Sequence, residues 1–192
     1  MKQTASYSNQ RVGIFVDVQN LYHSAKNLYG GRVNYGELIK FLVGDRQLIR
    51  ALAYVVKSEG IEPQRPVGVR APTTRRPESG QTTSSEAAFF EALEKAGLEL
   101  RVKDLQVYAG GMKKADWDVG MAVDAIRMSS FLDVVILVTG DGDFLPLIDY
   151  LKWGVGRFVE VAAFKRSASS KVQEVADKFT NIEEISRIII KK

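Results

Sequence analysis

The sequence predicts a three-layer α/β/α sandwich around a mostly parallel central sheet. Three observations carry that prediction. Short apolar runs rich in β-branched residues recur along the chain, at 12–16 (VGIFV), 48–56 (LIRALAYVV) and 134–138 (VVILV). Stretches with apolar residues at helical spacing separate these runs. The turns between them are short, apart from one proline-rich loop. Alternating strands and helices bury both faces of a parallel sheet under helices.

Each element follows from local pattern. Residues 12–16 form a buried strand, because a wholly apolar run leaves no wet face. Asp17 ends it. Leu21, Tyr22, Ala25, Leu28 and Tyr29 then recur at helical spacing, and Gly30-Gly31 stops that helix. Asn34, with Glu37 three residues on, is a helix-capping pattern that opens a helix to Leu42. Residues 48–56 form the second strand. From Gly60 to Thr82 no period is visible, and Pro63, Pro66, Pro72 and Pro77 all fall there. A loop of that length in a compact domain is functional or disordered.

Thr83 and Glu86 make a capping box for a helix through Lys95, closed by Gly97. Residues 98–102 (LELRV) alternate apolar and polar, as a strand does. Asp116 or Asp118 opens a helix to Met128. After the strand at 134–138, Asp143 starts a helix through Trp153, which Gly154 and Gly156 break. Residues 157–162 (RFVEVA) form a strand and 169–179 a helix. Residues 187–190 (RIII) are a last short strand or a helix tail.

Composition bounds the function. The chain has 192 residues, 45% of them hydrophobic and 26% charged, as in globular proteins generally. There is no cysteine, which excludes disulfides, zinc fingers, iron–sulfur clusters and thiol nucleophiles. No apolar run approaches the ~20 residues of a membrane helix. Residues 1–10 are polar and read as a flexible lead-in to a single domain at 11–192. The expected location is the cytoplasm, with no membrane partner. A homodimer, through a sheet edge or the helix from Ser169, is compatible with the sequence but not required by it.

Net charge is +4, which permits a polyanionic partner. Arg65, Arg70, Arg75 and Arg76 crowd the long loop and are placed to pair with phosphates or to sit solvated. Lys113 and Lys114 precede an acidic motif, and Lys165, Arg166 and Lys171 follow a late strand.

Parallel sheets bind ligands at the carboxyl ends of their strands. Asp17-Val18-Gln19-Asn20 follows the first strand. Asp116-Trp117-Asp118 lies after the third, and Thr139-Gly140-Asp141-Gly142-Asp143-Phe144 follows the fourth. Three strand ends therefore bring carboxylates to one edge. Crowded carboxylates repel unless a cation neutralises them. Oxygen ligands without His or Cys suit Mg²⁺ or Mn²⁺, and the chemistry expected of such a site is phosphodiester hydrolysis. Taken singly, an Asp after a strand is a helix cap, and Gly-Asp-Gly-Asp is a turn. The joint arrangement is what points to a site.

These segments, VGIFVDVQNLYHSA, KKADWDVGMAVDAIR and VVILVTGDGDFLPLIDYLKWGVGRFVEVAAF, resemble the NYN domain in its LabA-like bacterial branch, within the PIN-like nuclease superfamily. The resemblance spans residues 11–179 and implies a PIN-like fold and a metal-dependent ribonuclease. It also implies roles. Asp17, Asp118, Asp141 and Asp143 would hold the metal, and with Asn20 would form the catalytic set. Asn20, Lys114 and Thr139 are placed on the substrate side, with the Thr139 hydroxyl bonding a neighbouring carboxylate. Ala115 and the extra acid Asp116 depart from the commoner Lys-Gly-Val-Asp form, which leaves open whether Asp116 or Asp118 faces the metal. Asp124 also fits the pattern and is expected to be structural or to support the ligands.

Other readings remain. A haloacid-dehalogenase-like phosphatase needs a second Asp where this chain has Gln19, and a Toprim domain usually has Glu where this chain has Asp17. The rival from another class is a non-catalytic RNA- or protein-binding regulator. His23 is the only histidine, so chemistry that needs two is unavailable. Trp117 and Tyr108 are candidates for stacking on bases, although aromatic residues more often fill a core.

Overall fold

The computed structural model describes residues 8–57, 84–104, 106–107, 113–114 and 116–191. Most of the expected lead-in, the 60–82 loop, Thr83 of the capping box and Tyr108 lie outside the described residues.

Six strands make the central sheet. They are β1 (Arg11–Asp17), β3 (Gln47–Lys57), β4 (Glu99–Asp104), β7 (Val134–Val138), β8 (Phe158–Ala163) and β9 (Lys178–Asn181), in the order β4-β3-β1-β7-β8-β9. Every neighbouring pair is parallel. Two antiparallel pairs stand apart from it. β2 (Arg32–Val33) pairs with β10 (Ile189–Ile190), and β5 (Gln106–Val107) with β6 (Lys113–Lys114).

Strand alternation divides the core into two layers. Ile14, Val16, Ile136 and Val138 face α1 (Val18–Tyr29), α2 (Tyr35–Val43) and α3 (Ser84–Lys95). Phe15, Val135 and Leu137 face α4 (Asp118–Ser129), α5 (Leu145–Asp149) and α6 (Ser170–Val175). The three-layer parallel sandwich expected from the sequence is the observed fold. No helix among the described residues is long and apolar enough to cross a membrane.

The chain builds outward from β1 to β3 and β4, then returns to place β7 on the other side of β1. Strand order therefore reverses between β1 and β7. A crevice opens at the carboxyl ends of strands where such a reversal occurs.

Two expected helices are shorter than the sequence suggested. The one expected from Asp143 to Trp153 is a 3₁₀ turn at Gly142–Phe144, then α5, then a π turn at Tyr150–Gly154. Pro146 lacks an N–H and belongs to a first helical turn, so the α-helix starts beside it. The helix expected over 169–179 stops at Val175. Ala176 is extended, and β9 then pairs along β8, satisfying that strand's edge. The Asp177 N–H donates to the Val159 carbonyl and its carboxylate accepts the Val159 N–H, which locks the changeover. The tail at 187–190 ends as the short strand β10.

One buried ion pair ties the layers to the sheet. Arg46 follows α2 and reaches Glu160 of β8, with N–O distances of 2.6 and 3.2 Å. Both side chains are 4% exposed. The Arg46 guanidinium also donates to the Leu42 and Val43 carbonyls. Removing one member strands the other charge in the interior. Glu160→Ala is therefore expected to destabilise the fold by about 3–5 kcal/mol, measured by urea unfolding. A loss below about 1 kcal/mol would show that Arg46 escapes to water.

Candidate metal centre at the β1–β7 crevice

Asp17 closes β1 and caps α1. Its Oδ1 accepts the Asn20 N–H at 3.0 Å. Its Oδ2 accepts the Thr139 hydroxyl at 3.1 Å. Thr139 is 1% exposed, and its oxygen in turn accepts the Asp141 N–H at 3.2 Å. Asp141 Oδ1 accepts the Asp143 N–H at 3.0 Å, which starts the 3₁₀ turn. Asn20 Oδ1 accepts the Gly140 N–H at 3.1 Å. The turn after β7 is thus held at three of its amides.

Gly140 is needed there for space. A Cβ on it would lie 2.9 Å from the Ala168 Cα, and the Gly140 carbonyl accepts the Ser169 N–H. The loop after β8 therefore packs directly on the acidic turn.

Asp118 reaches the crevice by another route. It is the first residue of α4. The preceding Trp117 anchors that helix start. Its Nε1 donates to the Val55 carbonyl at 2.9 Å, and its ring meets Tyr54 edge-on at 5.5 Å. The ring also covers Gly120, where a Cβ would come within 2.5 Å. Trp117, a candidate for base stacking, anchors the start of α4 and also lines the acidic cavity.

One carboxylate oxygen from each of Asp118, Asp141 and Asp143 lies within 4.8 Å of the others. Asp17 stands beside this trio and is not part of it. Asp17, Asp116, Asp118 and Asp141 line a cavity of about 380 Å³, with Asn20, His23 and Ser167. Asp116 shares the cavity without joining the trio. Asp124 does not line the cavity; it accepts the hydroxyl of Tyr54, which does, at 3.1 Å and pairs with Arg101 at 3.2 Å. The β6 backbone pairs Lys114 with Gln106, and the Lys114 side chain lies outside the description.

The electrostatics are those of an unbalanced acidic cluster. Burial pushes the Asp118 carboxyl above the ordinary carboxylate range, and Asp17, Asp116, Asp141 and Asp143 push it further. Burial also raises Asp17; hydrogen bonds from Asn20 and Thr139 oppose that, while the Asp141 charge adds to it. Among the described residues, none of Asp17, Asp118, Asp141 and Asp143 pairs with a Lys or Arg. Oxygen-only donors, close spacing and uncompensated charge fit a hard divalent cation.

The strand-end rule applied to the sequence found the acids. It passed over Ser167, which the same rule applied to β8 reaches. It also passed over Trp117 as an anchor, for which the close Trp-to-Gly120 spacing was the available signal.

A carboxyl raised on folding binds protons more tightly in the folded state, so its ionisation lowers stability as pH rises. Asp118→Asn is therefore expected to raise the Tm of metal-free protein at neutral pH. The difference from wild type should shrink as pH falls and the Asp118 carboxyl protonates. Thermal melts in chelator across the acidic range test this; a lower Tm for the variant at neutral pH would contradict it.

The NYN domain family model matches residues 11–183. No curated protein matches the chain significantly. Among solved structures, the crystal structure of a protein of unknown function from Vibrio parahaemolyticus is similar at a TM-score of 0.76 and 26% identity, over 97% of this chain and 100% of that one. That likeness covers the whole sandwich, and the family match takes in both edges of the acidic crevice. The chain belongs to the NYN domain family, and so to the PIN-like nuclease superfamily.

Proposed function

We propose that this chain is a metal-dependent ribonuclease that hydrolyses RNA phosphodiester bonds, with Asp17, Asp118, Asp141 and Asp143 holding one or two Mg²⁺ or Mn²⁺ ions. The observation that carries the reading is the trio of carboxylates within 4.8 Å, beside Asp17 and without a cationic partner among the described residues. These residues would hold a divalent cation, which would supply polarisation of a phosphoryl oxygen and a lowered pKa for a bound water. RNA enters through the family, whose nuclease members act on it.

The residues divide the remaining work. Thr139 positions Asp17 and Asp141, and its one hydroxyl proton is already given to Asp17. Asn20 spends its oxygen on the Gly140 N–H, so the group it offers the cavity is its amide NH₂. A donor there suits a phosphate oxygen of the scissile group. The N-termini of α1 and α4 carry Asp17 and Asp118 to the crevice, and their partial positive charge favours a phosphate. Lys114, four residues before Asp118, holds a flanking phosphate. Water attacks in line and leaves a 5′-phosphate and a 3′-hydroxyl.

The test is cleavage of single-stranded RNA with Mn²⁺ by wild type, Asp17→Asn and Asp141→Asn. Each variant is expected to lose about a hundredfold or more in rate. Equal rates would overturn the assignment. RNA binding by a wild type that does not cleave would favour the regulatory reading.

A further inference from the structure

A second groove, of about 550 Å³, adjoins the acidic cavity. Gln19, His23 and Val56 line both, so the two are neighbours across these side chains. Its chemistry is different. The floor is apolar and buried, formed by Val18, Val33 and Val55 with Tyr35. Tyr22 and Phe89 supply aromatic walls. Tyr22 is 42% exposed, with His23 edge-on at 5.5 Å and the Lys26 ammonium 5.8 Å from its ring centre. Arg32 is exposed at the rim and makes no ion pair among the described residues.

Tyr35 adds an independent observation. It is 8% exposed, and its ring is held edge-on against Phe89. Its hydroxyl has no hydrogen-bond partner among the described residues. Burial, with the Asp17 charge nearby, raises that hydroxyl above the ordinary tyrosine range. Tyr35 lines the groove, so its hydroxyl is a donor and acceptor open to a polar ligand there.

We propose that this groove is a base subsite, which takes the nucleobase of the nucleotide adjoining the scissile phosphate. The proposal rests on the ribonuclease reading above for the identity of its ligand. A flat ring with a polar edge matches what the groove offers: Tyr22 and Phe89 to stack on, an apolar floor, and the Tyr35 hydroxyl for the base edge. Stacking of this kind tolerates any base, because every base has a π-face. Arg32 stands where the adjoining backbone would leave the groove. The acidic cavity then handles the phosphate, and the neighbouring groove fixes the register of the strand.

The experiment compares wild type with Tyr22→Ala, whose ring is exposed, and Tyr35→Phe, which removes only the hydroxyl. Cleavage of single-stranded RNA in Mn²⁺ gives KM and kcat. Separately, a 4-thiouridine RNA is photocrosslinked to the protein in EDTA, where binding is read without cleavage. Expected is a roughly tenfold rise in KM for Tyr22→Ala with little change in kcat, the loss of about one base stack. Tyr35→Phe should raise KM severalfold, and the crosslink should map to Tyr22 or Phe89. With RNA abasic beside the cleaved bond, wild type and Tyr22→Ala should have equal KM. If wild type cleaves and both variants match it in KM, the subsite is overturned while the nuclease stands. If wild type does not cleave but the crosslink maps to the groove, the groove still holds an RNA base, while the nuclease reading and the register to a scissile phosphate fall. Neither cleavage nor crosslink overturns both.

Discussion

Thr139 gives its hydroxyl proton to Asp17 and accepts the Asp141 amide, so a single side chain joins the end of β1 to the turn after β7. The site depends on that join. β1 and β7 are neighbours in the sheet, but adjacency alone fixes only backbones. Like charges at their ends push apart, and the approach of Asp118 increases the repulsion. The hydroxyl, the Asn20–Gly140 bond and the capping bonds of Asp17 and Asp141 hold the carboxylates near one another before any ligand arrives. The Asp17 and Asp141 bonds also close the start of α1 and of the 3₁₀ turn, so at these two residues the local folding signal and the site geometry coincide. The reading of Asp17 as a mere helix cap is therefore half right. It caps α1 and also lines the crevice beside the Asp118–Asp141–Asp143 trio.

The rest of the architecture serves the same crevice. Reversal of strand order between β1 and β7 leaves room at the strand ends. α4 brings its acid from the opposite layer, fixed by Trp117 on the Val55 carbonyl. At the far end of the strands, Asp133 accepts the Arg11 N–H and guanidinium, and Arg11 holds that carboxyl down to about 2. The contrast is informative. Asp133 serves the fold and is given a cation; Asp17, Asp118, Asp141 and Asp143 at the crevice have none among the described residues. Asp124, with Arg101 and Tyr54, follows the structural pattern, although its place in the sequence motif matches the family.

Much of this was legible in the sequence. The apolar runs gave five of the six sheet strands, and the acids after them marked the carboxyl edge. β9 was not legible, because Lys178–Asn181 becomes a strand only through β8, whose edge it pairs. Helix pattern over 169–179 was a local signal, and tertiary pairing overrode it. The broken helix from Asp143 could have been read from Pro146, but a π turn at Tyr150–Gly154 has no comparable marker. The choice between Asp116 and Asp118 also needed three dimensions. Two residues apart at a helix start, they differ in direction, and only Asp118 meets Asp141 and Asp143. The aromatic groove was invisible for the same reason, since Tyr22, Tyr35 and Phe89 come from three helices.

The crevice carboxylates, on this reading, form a divalent cation site. Calorimetric titration of metal-free protein with Mn²⁺ tests it without reference to any substrate. Saturable binding to wild type is expected, weakened about 10–100-fold or more in Asp118→Asn and in Asp141→Asn, and unchanged in Asp124→Asn. Failure of wild type to bind Mn²⁺, or binding by the Asp118 and Asp141 variants as tight as wild type, would contradict it.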